Sequence, residues 1–241
     1  MLVATAHTGP VPGATKNLLL ARLEVEHREA LLAGIEPVAL QVGETVVAAG
    51  QRLEHVYFPI DSSISLALPV AGQSPLVIGL IGHEGMVGMQ LLLSSSLAGF
   101  RGQVQGPGLA WRVDASRFTS QLDANPPWRA MLSRYVHVRH LQLAQGAACR
   151  SFHLVEARLA RWLLMSRDRA RRDPLSLTHE TLSHLLGVRR AGVTLAAHSL
   201  QDRGLIRYTR GLILLLDRSG LEAAACPCYA SEKRTYSRLM R

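Results

Sequence analysis

The chain has 241 residues, 48% of them hydrophobic and 19% charged, a composition that excludes a disordered polymer and allows one large domain or two modest ones. Its charge is uneven: residues 1–120 carry a net −2 and residues 121–241 a net +11, and 25 of the 27 basic residues are arginine. A basic half of this kind points to a polyanion partner such as nucleic acid, or to a solvated basic face.

Residues 1–17 read as a flexible leader, with no basic region ahead of an apolar core as a secretory signal would have. Three cysteines without an export signal suit a reducing cytoplasm. The longest uncharged stretch, residues 62–83, is broken by Pro69, Gly72 and Pro75, so no membrane span and no membrane partner is expected. Leu18–Leu32 has apolar residues at helical spacing among charges, which predicts one amphipathic helix.

Seven short β-type runs follow: Val38–Val42, Glu44–Ala48, His55–Ile60, Ile64–Val70, Leu76–Ile81, Arg101–Gln105 and Leu109–Val113. Glycine and proline turns punctuate them, the pattern of a sandwich or barrel. His55 stands alone, and His83-Glu84 is an adjacent pair whose side chains would point to opposite faces of a strand, a poor metal shell. The chain has neither a G-x-S-x-G elbow nor a Walker A loop, so nothing marks it as an enzyme.

Asn125-Pro126-Pro127 opens a helix over Trp128–Cys149. Leu132, Val136, Leu143 and Ala147 line one face, and Tyr135, Val138, Leu141 and Ala148 an adjoining one. A helix apolar over so much of its girth must be covered on two sides, which favours a dimer seam through the first set over a single buried core helix. A second helix, Phe152–Arg171, carries Arg150, Arg158, Arg161, Arg167, Arg169, Arg171 and Arg172 in and around it. The cluster thickens at its C-terminal end, where the helix dipole favours cations.

Residues 175–217 carry the clearest pattern. Thr178 caps a short helix to Leu186, Gly187 makes a left-handed turn, and a second helix runs from about Arg189 to Arg203. Leu205–Thr209 and Leu212–Leu216 then flank Arg210-Gly211 as a hairpin wing, which completes a winged helix-turn-helix in outline. On the outer side of the second helix, Arg189, Arg190, Gly192, Thr194 and His198 suit DNA. An arginine can read guanine, a glycine lets the backbone approach, and a threonine reaches a phosphate or a thymine methyl. Thr178, His179 and Arg210 are placed for phosphates.

The segment LSLTHETLSHLLGVRRAGVTLAAHSLQDRGLIRYTRGLILLLD resembles the winged helix-turn-helix of Crp/Fnr-type bacterial transcription regulators. HVYFPIDSSISL and VIGLIGHEGMVG resemble their cyclic-nucleotide-binding-like β-roll, and RYVHVRHLQLAQGAACRSFHLVEARLARWLLMSRDR their dimer helix and connector. The likeness spans roughly residues 20–225. It implies an α+β chain: an N-terminal antiparallel β-roll (a cupin-like jelly roll) over 18–124, a dimerisation helix over 125–150, a C-terminal winged helix-turn-helix over 151–225 and a tail over 226–241. The implied partners are double-stranded DNA, a second copy of the chain in a homodimer, and RNA polymerase.

The resemblance also places the ligand pocket around Gly88-Met89 and Ala98-Gly99, with Arg101 close by. Cyclic-AMP-binding members carry a Gly-Glu pair at the first position and Arg-Ser or Arg-Thr at the second. The ribose carboxylate and the phosphate arginine are both missing here, so another small ligand or none is expected in place of cyclic AMP. Where familiar members show Arg-Glu and a later Arg along the recognition helix, this chain has Arg190, Ala191 and Leu195, so their operator does not carry over. Cys149, Cys226 and Cys228 do not form the four-cysteine set of iron–sulfur members. The Cys226-Pro227-Cys228 spacing offers two soft ligands with no others evident nearby, so no metal site is expected. The function expected is a homodimeric regulator reading a pseudo-palindromic site. The alternatives are a sensor acting through protein partners and a metal-dependent β-barrel enzyme.

Overall fold

A computed structural model describes residues 14–72, 74–171 and 173–241. Most of the expected leader (residues 1–13) and Arg172 lie outside them. Asn17, at the leader's end, is fully buried: its amide donates to the carbonyls of Pro59 and Gly85, each at 2.9 Å, while its oxygen caps the first helix. That helix is α1 (Leu18–Ala21), and α2 (Val25–Leu32) follows it. The single helix expected over Leu18–Leu32 is thus two, because Leu23 turns into the core between them and Arg28 donates to the freed Leu23 carbonyl at 3.1 Å.

All seven expected strands form: β1 (Val38–Leu40), β2 (Thr45–Val47), β3 (His55–Pro59), β4 (Ser63–Leu68), β5 (Leu76–Ile81), β6 (Arg101–Gly106) and β7 (Gly108–Asp114). They make two antiparallel sheets, ordered β1-β7-β3 and β2-β6-β4-β5. Strand β4 is buried at five of its six positions because both faces are covered. Ile64 and Leu66 point into the roll with Leu40 and Val104, and Ala67 points outward into a helical core. Helix α3 (Ala115–Ala124), which the sequence reading did not anticipate, buries Phe118 edge-on against Trp128, with ring centroids 5.6 Å apart.

Helix α4 (Pro126–Phe152) is capped by Asn125, whose side chain accepts from the Trp128 N–H, and has proline in its first turn. Its 27 residues extend about 40 Å. The seam expected along it needs correction. Leu132 is fully buried in the protomer's own core beside Trp128, Tyr135 and Val138, so it has no surface left for a partner. Val136 and Leu143 are half-buried and Ala147 is exposed.

Helix α5 (Val155–Ala170) leads to β8 (Leu175–Ser176), α6 (His179–Leu186), α7 (Arg190–Asp202), and the hairpin β9 (Ile206–Thr209) and β10 (Leu212–Leu215). One continuous core joins α5, α6, α7 and the hairpin to Ala67, Val77 and Leu80 of the roll. The tail is helical, with α8 (Arg218–Ala224) and α9 (Cys228–Leu239). Helix α9 folds back along α4, and Met240 enters the same core as Leu19 and Leu132.

The arginines of α5 are not a solvated face. Arg161 and Arg169 pair with Glu232 of α9 at 2.8 and 2.6 Å, and Arg169 pairs again with Glu84 of the roll at 2.7 Å, all four side chains being nearly buried. Arg158 is also buried and donates to the Leu186 carbonyl. The helix dipole is therefore the lesser reason for this cluster; carboxylates from distant segments hold it.

Candidate nucleic-acid interface

Thr178 caps α6 with its side-chain oxygen, accepting from the Thr181 N–H at 3.1 Å. Gly187 closes the helix at φ +63°, a conformation glycine adopts without the Cβ penalty. Leu182, Leu185, Val193, Ala197 and Leu200 are buried between the two helices, so the outward face of α7 is fixed by what it buries. The wing turns at Arg210-Gly211 with φ of +50° and +81°, the left-handed pair of a tight two-residue hairpin.

Helix α7 begins differently from α6. Arg189 at its N-cap makes no side-chain cap, and its first turn contains no acidic residue. Its positive dipole end lies beside the exposed Arg189 and Arg190. Among the described residues, the side chains of Arg189, Arg190 and Arg210 make no hydrogen bond or ion pair, whereas Arg203 of the same helix-turn-helix is held by Glu156 at 2.6 Å. Cations left unpaired at an uncapped helix start form a ready anion site. Around Gly192 a Cβ would meet nothing within 4 Å, so a ligand's backbone has room to approach. His198 is exposed farther along, and Leu195 is 73% exposed, an apolar side chain at a position where a thymine methyl would find contact.

His179 departs from its expected role. Its ring stacks on Tyr208 of the wing at 4.5 Å, and its Nδ1 is 3.0 Å from the Thr194 hydroxyl on α7. Its Nε2 is buried without a partner, so it cannot reach a phosphate from this position. Burial, reinforced by Arg190 and His198, holds its pKa below the ordinary imidazole value, which keeps the ring neutral. His179 is a clamp joining α6, α7 and the wing. Thr194 is likewise engaged, bonded to His179 and donating to the Arg190 carbonyl at 3.1 Å. Tyr208, the other half of the clamp, was missed, although it is an aromatic residue between Arg207 and Thr209 on the wing strand.

In the roll, Gly88 adopts φ +102° ahead of the short 3-10 turn Met89–Leu93, and a Cβ there would lie 2.7 Å from Val56. Ala98 is buried and Gly99 exposed, while Arg101 donates to Thr45 across the sheet at 2.9 Å rather than pointing to a shared pocket. A cleft of about 370 Å³ lies elsewhere, between the roll, α5 and α9, walled by Glu84, Arg169, Tyr229 and Tyr236. Near the tail, folding supplies what the sequence did not show: Cys149 and His153 from the end of α4 stand beside Cys226 and Cys228. No helix among the described residues is long and apolar enough to cross a membrane.

Residues 157–224 match the family model of the Crp-like helix-turn-helix domain. No curated protein sequence matches the chain. Among solved structures, the c-di-GMP-responsive global regulator CLP of Xanthomonas campestris is similar at 19% identity and a TM-score of 0.64, over 80% of this chain and 100% of that one. A CRP-family transcriptional regulator of Thermus thermophilus is similar at 17% identity and a TM-score of 0.64, over 78% of this chain and 96% of that one. FixK2 of Bradyrhizobium japonicum follows at 14% identity and a TM-score of 0.61, over 80% and 98%. Residues 157–224 thus match a Crp-like helix-turn-helix domain, and the chain shares its fold with solved structures of Crp/Fnr-type regulators.

Proposed function

We propose that the chain is a sequence-specific DNA-binding transcription regulator that acts as a homodimer on a pseudo-palindromic site and catalyses no reaction. The observation that carries this reading is the start of α7, uncapped and free of acidic residues, with Arg189 and Arg190 exposed and unpaired beside it. Arg190 reads a guanine edge in the major groove, and Arg189 and Arg210 hold phosphates. Ala191 and Leu195 replace polar base readers with apolar surface, so the operator carries thymine methyls opposite them. The dimer seam runs along the outer side of α4 through Val136, Leu143 and Ala147. Contact with RNA polymerase rests on the family resemblance alone. Cyclic AMP is not the effector, since the roll lacks the carboxylate and arginine that would hold it; another small ligand fills that role if one is needed.

The test is selection of bound sequences from random DNA with the full-length protein. An inverted repeat should emerge, with affinity falling steeply as salt rises. Arg190→Ala should then cost about 1–3 kcal/mol and relax base preference at one position per half-site. An equal loss on every sequence would make Arg190 a phosphate contact. Failure to enrich any sequence would overturn the reading in favour of a sensor acting through protein partners.

A further inference from the structure

Three of the chain's buried side chains are thiols that meet one imidazole. Cys149 lies in the last turn of α4, His153 is that helix's C-cap, and Cys226 and Cys228 flank the start of α9. The Sγ atoms of Cys149 and Cys226 are 3.5 Å apart, Cys228 Sγ is 3.5 Å from His153 Nδ1, and all four ligand atoms lie within 4.8 Å of one another. None of the three cysteines is in a disulfide. Gln145 donates to Cys228 Sγ at 3.0 Å, and Arg161 points a guanidinium N–H at Cys149 Sγ from 3.7 Å.

We propose that Cys149, His153, Cys226 and Cys228 form a closed, four-coordinate zinc site. A tetrahedral ion about 2.3 Å from sulfur and about 2.0 Å from nitrogen spaces its ligand atoms about 3.5–3.8 Å apart. The close pairs here already match that spacing, and the whole set is only slightly wider. A four-iron cluster would place an iron–sulfide cube between its thiolates, and this set is too tight to hold one. Three thiolates and one neutral imidazole leave the ion with a net charge near −1, which Arg161 offsets at contact distance. Gln145 and Arg161 supply the outer hydrogen bonds that orient thiolate ligands. On binding, each thiol yields its proton to solvent and the imidazole binds through Nδ1, so no oxidant or co-reactant is involved. All four positions are filled by protein, so the ion acts as a staple without a catalytic role. It ties the C-terminal tail to the end of α4 across 77 residues of chain.

The full-length protein, purified under reductant, should contain one zinc per protomer. After removal by a chelator, titration with Co²⁺ should give thiolate-to-cobalt charge-transfer and tetrahedral d–d bands that saturate at one equivalent and vanish on adding Zn²⁺. Gln145→Ala should weaken zinc binding about 10–100-fold. Cys226→Ser with Cys228→Ser should abolish stoichiometric zinc while circular dichroism reports whether the fold survives. The wild-type cobalt titration decides the question even if that variant fails to fold. Absence of the cobalt bands, iron with acid-labile sulfide in place of zinc, or full zinc retention in a folded double variant would each overturn the assignment.

Discussion

Glu232 is the keystone of the tail, and Glu232→Gln tests that directly. Its carboxylate accepts from Arg161 and Arg169 at 2.8 and 2.6 Å, in a setting where all the side chains are nearly buried. Removing one partner of a buried pair costs about 3–5 kcal/mol because a charge is left uncompensated. Glutamine keeps one acceptor, and Arg169 keeps Glu84 at 2.7 Å, so the expected loss is at the lower end, about 3 kcal/mol. Burial alone would raise the pKa of Glu232, but Arg169 and Arg161 outweigh it and hold the carboxylate below its ordinary value. A folded pKa below the unfolded value of about 4.3 means the ionic contribution is complete above that pH and is lost as pH falls through the folded value. Urea denaturation of the full-length protein should therefore show the full gap between wild type and variant at neutral pH and a shrinking gap in acid. Glu222→Gln, which breaks only the surface pair with Arg218, serves as control and should change stability by less than about 0.5 kcal/mol. A gap below about 1 kcal/mol at neutral pH, or one unchanged in acid, would refute the reasoning.

Three further outcomes follow from the geometry. Gly82→Ala would set a Cβ 2.4 Å from the Arg169 Cβ and 2.7 Å from its carbonyl oxygen, so backbone must shift; denaturant midpoints should report a loss of about 1–3 kcal/mol. Gly99→Ala, with nothing within 4 Å, should stay within about 0.5 kcal/mol of wild type. Arg210→Ala at the wing tip should lower DNA affinity uniformly across sequences and reduce the salt slope by about 1, as measured by fluorescence titration at several salt concentrations.

The glycines of VIGLIGHEGMVG show what a sequence conveys and what it withholds. They are legible as punctuation, yet three of them exist to admit particular neighbours. A Cβ on Gly79 would meet the Arg139 guanidinium at 2.5 Å, one on Gly82 would meet Arg169 at 2.4 Å, and one on Gly85 would meet the Tyr135 hydroxyl at 2.2 Å. Those neighbours come from α4 and α5, and no local pattern names them. The same holds for Leu132. Its spacing with Val136, Leu143 and Ala147 is correct for a helical stripe, but the roll and α3 reach it first and bury it.

By itself, the sequence determined most of what depends on a few consecutive residues, although α3 and the break between α1 and α2 were not legible in it. Short β-type runs between glycine and proline turns set the seven strands, Asn125 and Thr178 the helix starts, Gly187 and Arg210-Gly211 the turns of the winged motif. Tertiary structure decided which charges are free. Of a basic half that reads uniformly in the sequence, Arg161 and Arg169 are consumed by Glu84 and Glu232, while Arg189, Arg190 and Arg210 remain outward and unpaired. It also decided that Cys149 and His153 would meet Cys226 and Cys228. The physical reason is common to both. Periodicity, caps and turns act through bonds between near neighbours, whereas ion pairs and ligand sets between distant segments exist only once the core has closed and brought them together.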